Sequence, residues 1–414
     1  MAGSTSSRRW ITALALLATL HLLLFYGLPG SIQLAILVAL GVFYFRAGAM
    51  PAVATTLSLG AATLFCSVAI HLLGLDQAMY YRPHEQLVQQ DHAQGHRAYR
   101  KNARIEMTAP HGDLKALTAA DLAQPRKIVF QTDSAGFRNE RDYAAGDIVL
   151  IGDSFVVGMG DSQADTLSAQ LTRELARQLP NARGGHAYNL GHPGDISDYL
   201  AVWRAFRRQH AGPVRGVLFL FEGNDFETAY QPAKTEKPSL PARYFGEYYS
   251  LFTGSDLYRV TKSLYARASQ AGNIAASSNV RIETLAGQKM GLYAPYIAVS
   301  QRPHYAMPAA MQADLIALAG EVEQVFFIPT NYRVYARHLG QSALPHAQWQ
   351  ALAQLCTQQG WRCSDLTPGL VAAADTLLAQ GQFIWWLDDT HWNRAGIAAA
   401  SAIVAKELAS HAKL

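Results

Sequence analysis

The first 75 residues of the chain carry three long apolar runs with few polar positions between them. These runs are Trp10–Leu28, Ile32–Phe45 and Val53–Leu75. A helix needs about 20 apolar residues to cross the roughly 30 Å hydrocarbon core of a bilayer. The first and third runs meet that length, and the second, taken with its flanks from Gly30 to Ala47, spans if the bilayer thins locally. The pattern predicts a membrane anchor over residues 1–75 with three transmembrane helices.

Arginines flanking these runs predict an orientation. Arg8 and Arg9 precede the first run, Arg46 separates the second from the third, and the Gly27–Gly30 link carries no charge. The positive-inside rule places the arginines in the cytoplasm. Three spans then put everything after Leu75 in the periplasm of a multi-pass bacterial inner-membrane protein. If the second run does not span, the chain after Leu75 is cytoplasmic instead. A cleaved signal peptide is disfavoured because the first apolar run is too long and more membrane-like sequence follows.

The remaining chain alternates short apolar runs with stretches of helical spacing. "DIVLIGDS" and "VRGVLFLFEGND" are predicted to be buried strands, and "KIVFQTD" and "EVEQVFFIPT" are predicted to be further strands. "ADTLSAQLTRELARQL" and "ISDYLAVWRAFRRQH" are predicted to be helices. This alternation predicts an α/β domain over residues 127–414, with a parallel sheet between two layers of helices. The polar stretch 76–126 is predicted to connect that domain to the membrane.

One segment, residues 226–295, breaks the alternation and is rich in aromatic side chains. Two interpretations stand: these side chains line a groove for a sugar or another bulky substrate, or they pack an inserted helical subdomain. We favour packing for most of them. The aromatic residues are Tyr230, Tyr244, Phe245, Tyr248, Tyr249, Phe252, Tyr258 and Tyr265.

Composition excludes several classes of function. The net charge of +4 comes from acids and bases mixed along all 414 residues, which argues against nucleic acid as a partner. The chain has no GxGxxG or GxxxxGK[ST] motif and no metal-ligand spacing, so we expect neither a cofactor nor a metal. Cys356 and Cys363 form a disulfide if the domain is periplasmic, or remain buried thiols; the spacing leaves both open.

Candidate chemistry gathers at the predicted carboxyl ends of strands, where open α/β sheets place their sites. Ser154 follows one strand in "GDS", Gly194 follows the next in "NLGHPGD", and Asn224 follows a third in "GND". Near the C-terminus, "WLDDTHWN" sets Asp388 three residues before His391.

These residue types fit acyl transfer through a serine. Ser154 supplies the nucleophile, His391 the base that takes its proton, and Asp388 the acid that orients the base. The backbone N–H groups of Ser154 and Gly194 and the side-chain amide of Asn224 would stabilise the oxyanion. Their neighbours Asp153 and Asp225 are expected to be structural, holding the turns by hydrogen bonds.

These four blocks resemble the SGNH/GDSL hydrolase superfamily over about Asp147–Leu408. "GDSF" is similar to its serine block, "PGDIS" to its glycine block, "GND" to its asparagine block and "DDTH" to its last block. The resemblance implies a three-layer α/β fold and metal-free serine chemistry. It implies that Ser154 is the nucleophile and that Gly194 and Asn224 stabilise the oxyanion, with Gly191 as the alternative glycine. It also implies that Asp388 is the acid and His391 the base.

A looser resemblance narrows the substrate. "TDSAGFRN", "FFIPTNYRVY" and "DTHWN" look like the SGNH-like branch that includes alginate O-acetyltransferases. That branch implies acetyl groups on exported polysaccharide and partners in polysaccharide modification or export. Three functions remain open: an esterase acting on acylated carbohydrate or a small acyl ester, an O-acyltransferase using the same acyl-serine step, and a non-enzymatic carbohydrate-binding or scaffold protein.

Overall fold

The computed structural model describes residues 3–75, 82–91, 96–118, 120–178, 185–230, 252, 255–275, 279–341 and 343–411. The chain divides into two compact units. An anchor unit contains residues 1–81, 89–93 and 237–273, and a sheet unit contains residues 82–88, 94–236 and 274–414.

The elements are numbered in chain order through both units. The helices are α1 (Gly3–Leu23), α2 (Gly30–Ala47), α3 (Ala49–Leu72), α4 (Asp113–Leu117), α5 (Ser154–Val157), α6 (Leu167–Gln178), α7 (Ile196–Gln209), α8 (Asp256–Ala275), α9 (Ala294–Ser300), α10 (Ala309–Ala319), α11 (Asn331–Val334), α12 (Ala347–Gln359), α13 (Thr367–Leu378) and α14 (Arg394–His411). The strands are β1 (Val88–Asp91), β2 (His96–Tyr99), β3 (Arg104–Ala109), β4 (Arg126–Gln131), β5 (Ile148–Ile151), β6 (Ala187–Asn189), β7 (Arg215–Phe221), β8 (Val280–Leu285), β9 (Gln288–Tyr293), β10 (Gln324–Ile328) and β11 (Cys363–Asp365).

In the anchor unit, α2 and α3 are long and apolar enough to cross a membrane. The helix α1 has 21 residues, but it begins at Gly3 and therefore includes Arg8 and Arg9, and it ends at Leu23 rather than Leu28. It is not one of the described helices that meet the criterion for a span. The sequence favours the first run over the second as a span, whereas among the described helices the second run, α2, has the length and apolar composition of one.

A cluster of hydroxyl groups joins α1, α2 and α3. Thr19 Oγ1 lies 3.1 Å from Tyr44 Oη, which lies 3.0 Å from Thr56 Oγ1. Both Thr19 and Tyr44 are fully buried. Hydroxyl side chains that bond across helices are a common way of joining apolar helices.

The helix α8 also belongs to the anchor unit, although its residues fall in the predicted insertion of the α/β domain. Leu257 and Val260 pack against Ile70 of α3 and against Phe25. Gly27, which has a φ of +29°, lies so close to α8 that a Cβ there would collide with the Tyr258 carbonyl. Residues 226–295 are therefore not one insertion in the sheet unit, because their middle part packs with the N-terminal helices.

The described aromatic residues of this segment mostly pack. Phe252 contacts Phe25 edge to face, with ring centroids 4.5 Å apart. Tyr230 packs on the core of the sheet unit, and its hydroxyl donates to Asp314 at 2.7 Å. Tyr265 is 40% exposed. The predicted groove residues Tyr244, Phe245, Tyr248 and Tyr249 lie outside the described residues.

The sheet unit contains a five-stranded parallel sheet in the order β11-β10-β7-β5-β6. Successive residues of β5 point to opposite faces, so that Ile148 and Leu150 join one apolar cluster while Val149 and Ile151 join the other. Helices α6, α13 and α14 contribute to the first cluster, and α7, α10 and α12 to the second. The predicted α/β architecture, a parallel sheet flanked by helices, is confirmed.

Two features of the sheet unit differ from the sequence prediction. The strand β4 is not part of the main sheet, because it pairs antiparallel with β3, from Arg104↔Gln131 to Ala109↔Arg126. The sheet unit also begins well before residue 127, since residues 94–126 belong to it. Much of the predicted connector is therefore part of the α/β unit.

The sequence does not decide whether Cys356 and Cys363 are bonded, and the structure shows a disulfide between them. Cys356, near the end of α12, and Cys363, the first residue of β11, form a disulfide with Cα atoms 6.2 Å apart. This distance lies within the usual range for a disulfide.

Candidate active site

The loop after β5 presents Ser154 at the carboxyl edge of the sheet. Gly152 has a φ of +156°, and a Cβ there would lie 2.8 Å from the Phe219 carbonyl oxygen of the neighbouring strand β7. The next residue, Asp153, accepts the Phe155 N–H at 2.8 Å and thereby caps α5. Ser154 is the first residue of that helix. Glycine and the capping aspartate thus make the sharp turn that brings the hydroxyl to the strand end.

Ser154, His391 and Asp389 form a hydrogen-bonded chain. Ser154 Oγ lies 2.7 Å from His391 Nε2, and His391 Nδ1 lies 2.6 Å from Asp389 Oδ1. A carboxylate can only accept, so Nδ1 carries the proton that it binds. In the neutral imidazole, Nε2 then carries no proton and can accept the one on Ser154 Oγ. This is the arrangement that activates a serine nucleophile.

The prediction that Asp388 orients His391 is wrong. Asp388 Oδ1 accepts from Arg126 Nη1 at 2.8 Å, and Asp388 Oδ2 accepts the N–H groups of Gly112 and Gln124, each at 2.7 Å. Asp389 faces the imidazole because the backbone folds back tightly, with the His391 N–H donating to Asp389 Oδ1 at 3.2 Å. A spacing of two residues places the carboxylate on Nδ1, whereas Asp388 points into the segment 112–126.

Arg126 joins the two aspartates. Its Nη2 donates to Asp389 Oδ2 at 2.7 Å, so both Asp389 oxygens have charged or polar partners. The guanidinium carbon also lies 4.2 Å from the centre of the Trp386 ring. The side chains of Arg126, Asp388 and Asp389 are all buried. Burial by itself would raise the pKa of the Asp389 carboxyl, but the hydrogen bond from His391 and the charges of His391 and Arg126 hold it well below its usual range.

Asp113 is a further buried acid beside the imidazole. Its Oδ1 accepts the Thr390 N–H at 2.8 Å, its Oδ2 accepts the Thr390 hydroxyl at 2.5 Å, and Oδ2 lies 3.6 Å from His391 Nδ1. Burial and the nearby Asp389 charge raise the pKa of Asp113 to about 6. Asp113 and Arg126 lie in or at the end of a polar stretch with no motif, and no sequence signal marked either of them.

The pKa of His391 reflects these acids. Burial lowers it, but the hydrogen bond to Asp389 and the negative charges of Asp389, Asp113 and Asp153 outweigh burial and raise the pKa above the ordinary histidine value. The protonated form of the His391 imidazole is therefore stabilised at this site.

Asp113, Asp389 and His391 bring potential ligand atoms within 4.8 Å of one another, a spacing that can hold a metal ion. Their hydrogen bonds account for this closeness without one. Thr390 binds Asp113, and Arg126 binds the Asp389 oxygen that faces away from the imidazole. A guanidinium in that position would repel a cation, so the donor set does not fit a resident metal.

Asn224 and the loop that holds the two candidate glycines adjoin the serine turn. Asn224 follows β7, which pairs with β5. Its side-chain amide lies near enough to the Asp153 carboxyl to lower the pKa of that group, opposing the burial that raises this pKa to about 6. The loop of the two candidate glycines is held to the turn by the His192 N–H, which donates to the Gly152 carbonyl at 2.8 Å. The Gly191 N–H is already used by Asn189 Oδ1 at 2.8 Å, which favours Gly194 for the oxyanion role.

Asp225, a further acid at the carboxyl edge of the sheet, has a structural role, as the sequence predicts. Asp225 Oδ2 accepts the Phe221 N–H at 2.7 Å, and its Oδ1 accepts the Tyr199 hydroxyl at 2.7 Å. Burial and the charge of Asp153 raise the pKa of Asp225 well above its usual range. Asp225 thus closes the turn that positions Asn224.

Comparison of the chain with known protein families, with curated proteins and with solved structures finds no match. The inference of function therefore rests on the residues and their geometry.

Proposed function

We propose that this protein is a membrane-anchored serine esterase that acts through an acyl-Ser154 intermediate on acyl esters, with acetyl esters of cell-envelope or exported carbohydrate as the substrate class. The observation that carries the proposal is the hydrogen-bonded chain from Ser154 Oγ through His391 to Asp389, with links of 2.7 and 2.6 Å. A buried acid–base–nucleophile chain at a strand end has little structural reason to exist, whereas serine chemistry requires it.

In the first half-reaction, Ser154 Oγ attacks the ester carbonyl carbon while His391 Nε2 takes the hydroxyl proton. The carbonyl oxygen becomes an oxyanion that the N–H groups of Ser154 and Gly194 and the Asn224 amide stabilise. Asp389 stabilises the imidazolium. When the tetrahedral intermediate collapses, the bond to the alcohol breaks, and the alcohol leaves with the proton from His391.

In the second half-reaction, His391 Nε2 takes a proton from water as the water oxygen attacks the acyl-Ser154 carbonyl. Collapse of this second intermediate returns the proton from His391 to Ser154 Oγ and releases the carboxylic acid. The net change is the hydrolysis of one ester, and the protein needs no co-reactant besides water.

The second candidate is a polysaccharide O-acetyltransferase. Its first half-reaction is identical, and a sugar hydroxyl replaces water in the second. The resemblance of the "DTHWN" segment to the branch that includes alginate O-acetyltransferases favours it, since the Asp389–His391 pair that contacts Ser154 lies in that segment. The third candidate is a non-enzymatic carbohydrate-binding or scaffold protein. It would leave the buried hydrogen bonds that join Ser154, His391 and Asp389 without a role.

Two observations support a periplasmic position for the sheet unit. The helices α2 and α3 are apolar enough to span a membrane, and arginines lie near the start of α1 and in the last turn of α2. The Cys356–Cys363 disulfide is of a kind that persists in oxidising compartments. We infer a multi-pass inner-membrane protein with its site in the periplasm.

The test uses the full-length protein in detergent. Acetate release from O-acetylated polysaccharide is measured with and without an unacetylated acceptor sugar, and labelling by a fluorophosphonate is mapped by mass spectrometry. We expect release that Ser154→Ala abolishes and a label at Ser154 alone. Transfer of acetyl to the acceptor in place of release would select the second candidate. A folded protein that binds polysaccharide but shows neither reaction would select the third.

A further inference from the structure

The helix α8 packs at one end of the N-terminal helices. Leu257 and Val260 of α8 contact Ile70, in the last turn of α3, and Phe25, in the link between α1 and α2. Gly27, in the same link, lies so close to α8 that it has no room for a Cβ. Because α1 ends and α2 begins at this link, and α3 ends just after Ile70, all of these contacts lie at the same end of the three helices.

In a protein anchored by α2 and α3, this end lies at the membrane surface. The helix α3 has 24 residues. At 1.5 Å per residue it is about 36 Å long, which exceeds the roughly 30 Å hydrocarbon core of a bilayer. Its last turn therefore lies near the depth of the lipid headgroups. The contacts with this turn and with the α1–α2 link give α8 the same depth.

The apolar face of α8 continues beyond its contact with α3. Leu264 comes seven residues after Leu257 and four after Val260, so it lies on the same face of the helix. Leu257 and Val260 are each 5% exposed, whereas Leu264 is 48% exposed. The next residue, Tyr265, is 40% exposed. The helix thus presents apolar and aromatic surface at the depth of the membrane interface.

The other side of α8 is polar and basic. Lys262 is exposed, and its position two residues before Leu264 puts it about 200° away around the helix. Tyr265 lies between these two directions. The helix has a net positive charge, since its sequence holds Asp256 against Arg259, Lys262 and Arg267. An apolar face opposite a basic face is typical of helices that lie in the plane of a membrane surface, and tyrosine is enriched at that level.

Two other neighbours for Leu264 are less favourable. Water would leave the side chain without the roughly 1.5–3 kcal/mol that burial of a leucine contributes, although acyl chains lie within reach at this depth. A second copy of the chain would gain little, because Leu264 and Tyr265 supply only a small part of the roughly 1,200–2,000 Å² that a stable protein interface buries.

We propose that α8 lies in the plane of the membrane surface, with Leu264 in contact with phospholipid acyl chains, Tyr265 at the headgroup boundary and Lys262 in water. This assignment rests on the membrane anchoring in the proposed function. It adds a second attachment to the bilayer, made by a helix that the chain inserts between the strands β7 and β8 of the sheet unit.

Spin labels test the proposal in the full-length protein, reconstituted into vesicles of phosphatidylethanolamine and phosphatidylglycerol. Cys66→Ser removes the free cysteine. Leu264→Cys and the matched control Lys262→Cys are then made singly and labelled with a nitroxide. Power saturation compares the access of oxygen, which partitions into acyl chains, with that of a water-soluble nickel chelate. We expect the ratio of oxygen access to nickel access to be several-fold higher for Leu264→Cys than for Lys262→Cys.

A second label repeats the measurement one turn further along. Ala268 is exposed and comes four residues after Leu264, so Ala268→Cys should also give a ratio several-fold above that of Lys262→Cys. All of the replaced α8 residues are exposed, so the substitutions should leave the packing of the anchor unit unchanged.

Two results would overturn the proposal. Nickel access at Leu264→Cys equal to that at Lys262→Cys would place this face in water, and exclusion of both reagents would place it against protein. Leu64→Cys separates these results from a failure of the proposed anchoring, because Leu64 lies on α3 and is 66% exposed. If the label of Leu64→Cys is in lipid while that of Leu264→Cys is not, only the assignment of α8 fails. If nickel reaches the label of Leu64→Cys as well, α3 does not span, and the proposed anchoring fails with it.

Discussion

Arg126 binds the Asp389 oxygen that faces away from His391, with Nη2 and Oδ2 2.7 Å apart. One carboxylate is thus held between a guanidinium and an imidazole, while the other arm of the guanidinium binds Asp388. Because all of these groups are buried, the position of Asp389 depends on Arg126 as much as on its own backbone.

Removing the Arg126 charge should impair both stability and catalysis. Arg126→Gln leaves two buried carboxylates without their cation, and breaking a buried pair of this kind costs about 3–5 kcal/mol. We expect a lower Tm and, in protein that remains folded, a kcat reduced at least about tenfold. Arg126→Lys should recover part of both, because lysine restores the charge without the two-armed geometry. Equal kcat values in all three proteins would show that Arg126 has no positioning role.

The two neighbouring aspartates should differ sharply in kinetics. Asp389→Asn removes the acceptor that fixes the His391 tautomer and stabilises the imidazolium, so we expect kcat to fall by about 10⁴. Asp388→Asn removes a partner of Arg126, so its main effect should be on thermal stability. Steady-state kinetics and thermal unfolding of both variants separate these roles. A larger kcat loss for Asp388→Asn would contradict the assignment.

The pH profile should report the charge around His391. The neutral imidazole is the active form, so kcat/KM should rise with pH through the pKa of His391, with a midpoint above the ordinary value of about 6.5. The groups that raise this pKa are Asp389, Asp113 and Asp153. Asp113→Asn removes one negative charge 3.6 Å from Nδ1 and should move the midpoint to lower pH. A midpoint that stays fixed or moves upward would argue against this electrostatic account.

The disulfide should stabilise the sheet unit and indicate its compartment. It closes a short loop, with a sequence separation of 7, so Cys356→Ser with Cys363→Ser should cost about 2–3 kcal/mol of unfolding free energy. In protein taken from intact cells under acid quench, a maleimide should label these cysteines only after reduction. Labelling without reductant would count against a periplasmic sheet unit.

The topology depends on α1. If α1 spans together with α2 and α3, a C-terminal alkaline phosphatase fusion is active and a C-terminal green fluorescent protein fusion is dark. Deleting residues 1–28 leaves α2 and α3 as the spans, with Arg46 between them. Because the positive-inside rule keeps Arg46 in the cytoplasm, we expect the phosphatase fusion to stay active. A full-length fusion that fluoresces would mean that α1 does not cross.

The sequence by itself determined the parallel sheet with helices on both faces and the placing of Ser154 and Asn224 at neighbouring strand ends. Continuous apolar runs such as Ile148–Ile151 can only be buried on both faces, and parallel strands bring their carboxyl ends to one edge. Hydrophobic patterning is local information, which is why it could be read along the chain.

Only the tertiary structure decided which aspartate meets His391 and what holds it there. Asp388 and Asp389 have identical side chains, and the backbone turn alone selects the one that faces the imidazole. Arg126 and Asp113 reach this loop from more than 250 positions away in the chain. The packing of α8 with the N-terminal helices is likewise non-local. Contacts between distant segments depend on three-dimensional packing, which leaves no periodic signal in the residues that make them.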